Sequence, residues 1–218
     1  LTGSGAINYS ILPPNSFFRR WNFGVSGSYF HYDNDLAYKR FGAGTSFDFQ
    51  KNPRSAIGRS LYFSYNYYER ELTPLMIRNN QYSKYNLWNI GYSYSDNSLI
   101  HEKYIGTNFQ WMEDFQKISA EAFYRWEFAK DKKISFRLFA GYFLRNETKN
   151  ALFNYGISRV SNYSFSYVLL GQSATSGILS QQFILAEGGF KSFFNTSVNQ
   201  FITSANVDSH LWKWFNLY

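Results

Sequence analysis

The chain has 218 residues, no cysteine, a net charge of +7, and aromatic side chains at 22% of its positions against only 17% charged. The missing cysteine excludes a disulfide framework and thiolate chemistry, and no apolar run approaches the ~20 residues of a transmembrane helix. Basic residues are scattered, with no run longer than the pairs Arg19-Arg20 and Lys132-Lys133, which argues against a nucleic-acid partner.

The chain opens at Leu1 with LTGSGAINYS and shows no basic stretch ahead of an apolar one, so no secretory leader is visible. The whole of 1–218 is expected to be one domain and a piece of a longer protein. From Ala6 onward the dominant pattern is alternation of apolar and polar residues. After a weak first strand at Ala6–Ser10 come WNFGVSGSYF, RFGAGTSFDF with Phe41, Ala43, Thr45, Phe47 and Phe49 on one face, and SLYFSYNYY. LWNIGYSYS, YIGTNFQW, ISAEAFYRWEFA, ISFRLFAGYFLR and FITSANVD continue it. Strand side chains point to opposite faces at every step, so each segment predicts a strand with one apolar and one polar face. Each spans about 9 to 13 residues, the length with which a tilted strand crosses a bilayer.

Pro13, Pro14, Pro53 and Pro74 fall between these segments, as expected where each strand is hydrogen-bonded along both edges. YDND, KNPRSAIG, SDNS and AKDKK read as turns. Two connections are longer, Glu71 to Ser83 and about Asn146 to Ser197, and counting strands puts both at the same end of the sheet. Long loops at one end and short turns at the other predict an all-β fold, an antiparallel transmembrane β-barrel of about 10–12 strands in full.

The apolar face carries Trp88, Tyr94, Trp111 and Trp126 towards strand ends, with Trp212 and Trp214 in the terminal HLWKWFNLY. Amphipathic rings at that level suit a membrane interface. The polar face carries a charged strip of Glu121, Arg125, Glu127, Arg137 and Arg145 beside Gly and Ser. Internal salt bridging that fills a narrow barrel is favoured for it over a selectivity lining. In the long connection, Glu187, Gly188, Gly189, Phe190 and Lys191 form a glycine turn. That loop is expected to fold into the barrel interior, with Lys191 a candidate partner for Glu121 or Glu127, or else to join one extra hairpin.

No catalytic or metal site is expected in this chain, and no cofactor. HEKYI at His101 has Ile105 where a zinc-peptidase helix needs its second histidine, and it lies in a strand. GAGTSF at Gly42–Phe47 lacks the third glycine and following helix of a dinucleotide site. Ser, His and Asp are present without a local nucleophile motif.

NYGISRVSNYSFSYVLLGQS, GILSQQFILAEGGFKSFF and ANVDSHLWKWFNLY resemble the C-terminal barrel of membrane-bound zinc aminopeptidase-like (gluzincin) proteins of Bacteroidota. The resemblance covers most of the second half of the chain. It implies an outer-membrane barrel that anchors or scaffolds a larger peptidase-like or outer-membrane-assembly-associated protein. Zinc and the catalytic residues would then belong to another domain. It further implies outer-membrane lipids as surroundings, assembly machinery or surface lipoproteins as partners, and LWKW as a turn before a further strand beginning FNLY. A more distant likeness is to barrel-assembly and two-partner-secretion barrels, whose long loop carries an Arg-Gly-aromatic tip. Here the tip is Gly189-Phe190-Lys191, without that arginine. The alternative function is a transport or protein-translocation pore.

Overall fold

The computed structural model describes residues 2–14, 17–31, 37–49, 54–72, 74–78, 82–130, 132–148, 150–157, 161, 163–164, 186–189, 196–212 and 215–217. In chain order the strands are β1 (Thr2–Ile11), β2 (Arg20–His31), β3 (Ala37–Asp48) and β4 (Ile57–Arg70). A short helix α1 (Pro74–Arg78) precedes β5 (Lys84–Asn97), β6 (His101–Met112), β7 (Phe115–Ala129) and β8 (Lys132–Asn146). A 3-10 turn at Ala151–Phe153, then β9 (Tyr155–Gly156) and β10 (Ser197–Val198), lead to β11 (Phe201–Trp212) and β12 (Phe215–Leu217).

The fold is all-β. One ten-stranded sheet runs in the order β1-β2-β3-β4-β5-β6-β7-β8-β11-β12, and β9 and β10 form a separate two-stranded ladder. Every pairing in this sheet is antiparallel, and all join strands adjacent in the chain except β8 with β11, which pair across the long connection. The connections 71–83 and 147–200 both leave the end of the sheet reached by β4 and β8, as the strand count predicts. No ladder joins β1 to β12 among the described residues, so the sheet is open there. The all-β antiparallel sheet expected from the sequence is present, and among the described residues it does not close into the expected barrel. Among the described residues no helix is long and apolar enough to cross a membrane.

Strand boundaries run past the sequence-derived segments because polar residues continue the ladder. β7 starts at Phe115 rather than Ile118, and β8 ends at Asn146. The β7–β8 pairing slips at two places, one of them where Gln116 faces Arg145 and Lys117 faces Phe143, so Leu144 is the extra residue of a bulge. An inserted residue reverses the facing of the strand beyond it. Arg145 therefore leaves the polar strip. It is exposed at the strand end, where its guanidinium donates to the Glu147 carboxylate at 2.8 and 2.7 Å.

Candidate functional site

The apolar face is the larger of the two candidate surfaces. Along β8 the residues Phe136, Leu138, Ala140, Tyr142 and Leu144 are exposed, while Arg137, Phe139, Gly141 and Phe143 between them are buried. The same face carries Ile7, Val25, Phe41, Leu61, Ile90 and Ile105 on the earlier strands, and Ile118, Phe201 and Val207 on the later ones, all exposed. No second layer covers it among the described residues. A water-soluble sheet hides its apolar face beneath another layer, and soluble monomers rarely expose apolar patches beyond a few hundred Å².

Aromatic residues cluster at both ends of this face. At one end Trp21 stacks on Phe47 with ring centroids 5.4 Å apart, and Phe18 meets both rings edge-on. Tyr94 and Trp126 lie towards the same end, Arg59 sits over the Tyr94 ring, and Trp126 meets Phe128. His101 stacks on Tyr124 there, with His101 Nδ1 2.8 Å from the tyrosine hydroxyl. At the other end Trp88 and Trp111 are cross-strand partners stacked at 5.3 Å and 15°, with Tyr65 4.5 Å from Trp88. The apolar run from Ile118 to Phe128 on β7 is about 33 Å long at the ~3.3 Å rise of a strand. Tilted by ~40°, it covers about 25 Å, the height of the apolar band of a membrane barrel.

The polar face is covered over β5 to β8 and β11 by the long connection. Tyr68, Tyr85, Leu87, Met112, Phe115, Phe139, Phe143 and Ile202 from the sheet enclose Phe153, Tyr155 and Tyr163 from the loop. This is the core of the molecule, and it lies at the end from which the connection leaves. Phe153 is fully buried and meets Tyr85 and Tyr82 edge-on. Tyr155 occupies the space left open by Gly141, where a Cβ would come within 2.5 Å of the tyrosine ring. The Tyr155 hydroxyl donates to the Ile118 carbonyl at 2.8 Å, and Tyr85 donates to the Tyr163 carbonyl at 2.5 Å. Tyr163 in turn donates to the Gln110 side chain. Burial raises the hydroxyl pKa of both loop tyrosines, so they stay protonated donors.

Two cations fasten the loop. Lys117 is 4% exposed, and the Phe115, Phe143, Tyr155 and Tyr163 rings surround its amine at 5.7, 5.6, 4.8 and 4.5 Å. The amine donates to the Phe153 carbonyl at 3.2 Å. Arg137 donates to the Glu121 carboxylate at 2.5 Å, to the Glu187 carbonyl at 3.3 and 3.4 Å, and to Asn206 Oδ1 at 3.4 Å. The glycine turn sits on this site. Gly189 has φ +64, where glycine is favoured, and its carbonyl accepts from Asn206 at 2.8 Å. A Cβ on Gly188 would meet the Ile157 backbone at 2.8 Å, and the Gly188 N–H donates to the Gly156 carbonyl. The Glu187 carboxylate accepts from the Gly156 N–H at 3.1 Å. Burial pushes its pKa above the usual carboxylate range, opposed by that hydrogen bond and by the Lys117 and Arg137 charges.

The sequence-derived strip thus resolves into separate ion pairs. Arg125 pairs with Glu102, Lys133 with Glu127, and Arg137 with Glu121. Phe190, Lys191 and Trp214 lie outside the described residues, and Trp212 ends β11 just before the β12 hairpin. Sequence reasoning missed Lys117, a buried cation on the same face as the strip. The signal for it was Phe139 and Phe143 appearing on an otherwise polar face, a sign that something apolar covers that region. Among the described residues no group of three or more His, Asp and Glu is placed to hold a metal. No protein-family model matches the chain, and no curated protein is significantly similar to it.

Proposed function

We propose that this chain is an integral outer-membrane β-barrel whose long connection plugs part of its interior, serving as the membrane anchor or scaffold of a larger protein. The observation that carries this reading is the uncovered apolar face spanning the sheet, aliphatic in the middle and aromatic at both ends. Lipid is the solvent such a face requires, and lipid tolerates strands only where the sheet closes and no backbone edge is left unpaired. Closure through partners for β1 and β12 is therefore part of the proposal. Plugging supports an anchor over a wide pore, because buried rings and paired charges fill the interior of the β5 to β8 half. By the resemblance of its second half, the anchored protein is peptidase-like or associated with outer-membrane assembly, and its catalytic zinc would sit in another domain.

The test is gel migration of the purified chain after refolding into detergent or vesicles. A folded barrel migrates differently before and after boiling, and identical migration counts against the reading. A wide, permanently open channel in planar bilayers would support the alternative of a transport pore.

A further inference from the structure

The two halves of the polar face differ in kind. Over β5 to β8 the cations have carboxylate partners in Glu102, Glu121 and Glu127, with Glu187 acting on Lys117, and of these cations Lys117 and Arg137 are buried beneath the loop. Over the middle of β1 to β4 the same face is built mainly from small polar residues, among them Asn8, Asn22, Ser26, Gly42, Ser64 and Asn66, with the stacked pair of Phe30 and Tyr38, and Tyr68, towards one end. With Arg40, Tyr62, Phe23, Val25 and Phe63 they line an open pocket of about 320 Å³. At roughly 30 Å³ per molecule, that is room for about ten waters.

The charges on this half do not balance. Facing alternates along each strand, so β2, β3 and β4 contribute Arg20, Arg40 and Arg70 against Asp48 alone. Arg70 donates to the Tyr82 carbonyl at one rim, and Arg20 faces Asp48 across the ladder at the other. Arg40 lies between the rims. Its Nε and one terminal nitrogen donate to Asn66 Oδ1 at 3.2 and 3.0 Å, and its guanidinium is 6.0 Å from the Tyr68 ring centroid. Among the described residues it has no carboxylate partner. A cation fixed by an amide and a ring, beside water-sized space into which hydroxyls and amides also point, attracts anions and can replace part of their hydration.

We propose that the β1 to β4 half of the interior is a narrow water-filled path for small anions, with Arg40 setting its charge preference. The path runs beside the plugged half, and it rests on the barrel reading above. The anchor therefore also leaks small inorganic anions.

The test uses the full chain in planar bilayers under a potassium chloride gradient, with chloride as the probe. The expected result is a small, steady conductance whose reversal potential favours chloride, with the preference reversed by Arg40→Glu. The natural chain lacks cysteine, so Ser26→Cys provides a conservative second probe. A negatively charged thiol reagent added from water should cut its chloride preference several-fold and leave the wild type untouched. Barrels that pass the boiling test yet conduct nothing, or whose selectivity ignores both changes, overturn the anion path and leave the barrel standing. Loss of heat-modifiable migration in the wild type itself sinks the barrel, and the path with it.

Discussion

Replacing Leu138 by arginine separates a lipid-facing sheet from a water-facing one. Leu138 is 58% exposed, central in β8, and paired with Ala122 and Ala205, small residues that leave its side chain standing clear. If that face met water, Leu138→Arg would be an ordinary surface change within about 0.5 kcal/mol, and it would improve solubility. On the lipid face it lies six residues from the strand end at Lys132, about 20 Å along the strand at the ~3.3 Å rise, which is near the bilayer midplane. Arginine at that depth costs roughly 2–4 kcal/mol, falling to ~0–1 near the interfaces. At 1.4 kcal/mol per decade, this is about 30- to 700-fold in the folding equilibrium. Phe128→Arg, on the same face but next to the β7 end, supplies the shallow comparison. Urea titration of both variants in vesicles, followed by tryptophan fluorescence and by the boiling shift, reads the difference. Equal and near-zero costs at the two positions would refute the lipid-facing assignment.

Lys117→Ala removes a cation from four rings and the donor from the Phe153 carbonyl. Loop docking should weaken by about 2–4 kcal/mol, seen as faster amide exchange at Phe153 to Gly156, with Lys117→Met losing less; unchanged protection would show that the lysine is a bystander. Gly188→Ala should loosen the turn, because its Cβ meets the Ile157 backbone rather than a flexible side chain, and limited proteolysis near Glu187 should speed up; unaltered cleavage would mean that the turn has no such contact. Tyr82 donates to Asp114 at 2.5 Å, and burial, followed by that bond, pushes its pKa up to about 12 from 10.0. A raised folded pKa means the stabilising contribution is whole below pH ~10 and fades as pH climbs through ~12. Tyr82→Phe should remove that part of the alkaline stability slope, and a slope unchanged in the variant would count against the bond.

Much of the wall was legible because strand period is local. ISFRLFAGYFLR alternates over its whole length, and β8 alternates between exposed and buried from Phe136 to Leu144. The shared exit of the long connections followed from counting strands alone. What the period cannot show is an inserted residue. The bulge opposite Gln116 and Lys117 turns Arg145 out of the strip, and only the ladder register reveals it. Nor could spacing pair charges across strands: Arg125 meets Glu102, a residue outside the sequence-derived strip, because register sets the partner. The loop was the hardest to read, since its anchors Phe153, Tyr155 and Tyr163 gain meaning only from rings on four strands of the sheet, β4, β5, β7 and β8.

The central claim is that the outward face of this sheet is in contact with lipid. Single cysteines placed in turn from Phe136 to Leu144, spin-labelled and reconstituted in vesicles, test it directly. The account predicts that labels at 136, 138, 140, 142 and 144 collide with dissolved oxygen and not with a water-soluble nickel complex, while labels at 137, 139, 141 and 143 are shielded from both. Labels on the even positions that collide freely with the nickel complex would place that face in water and contradict the account.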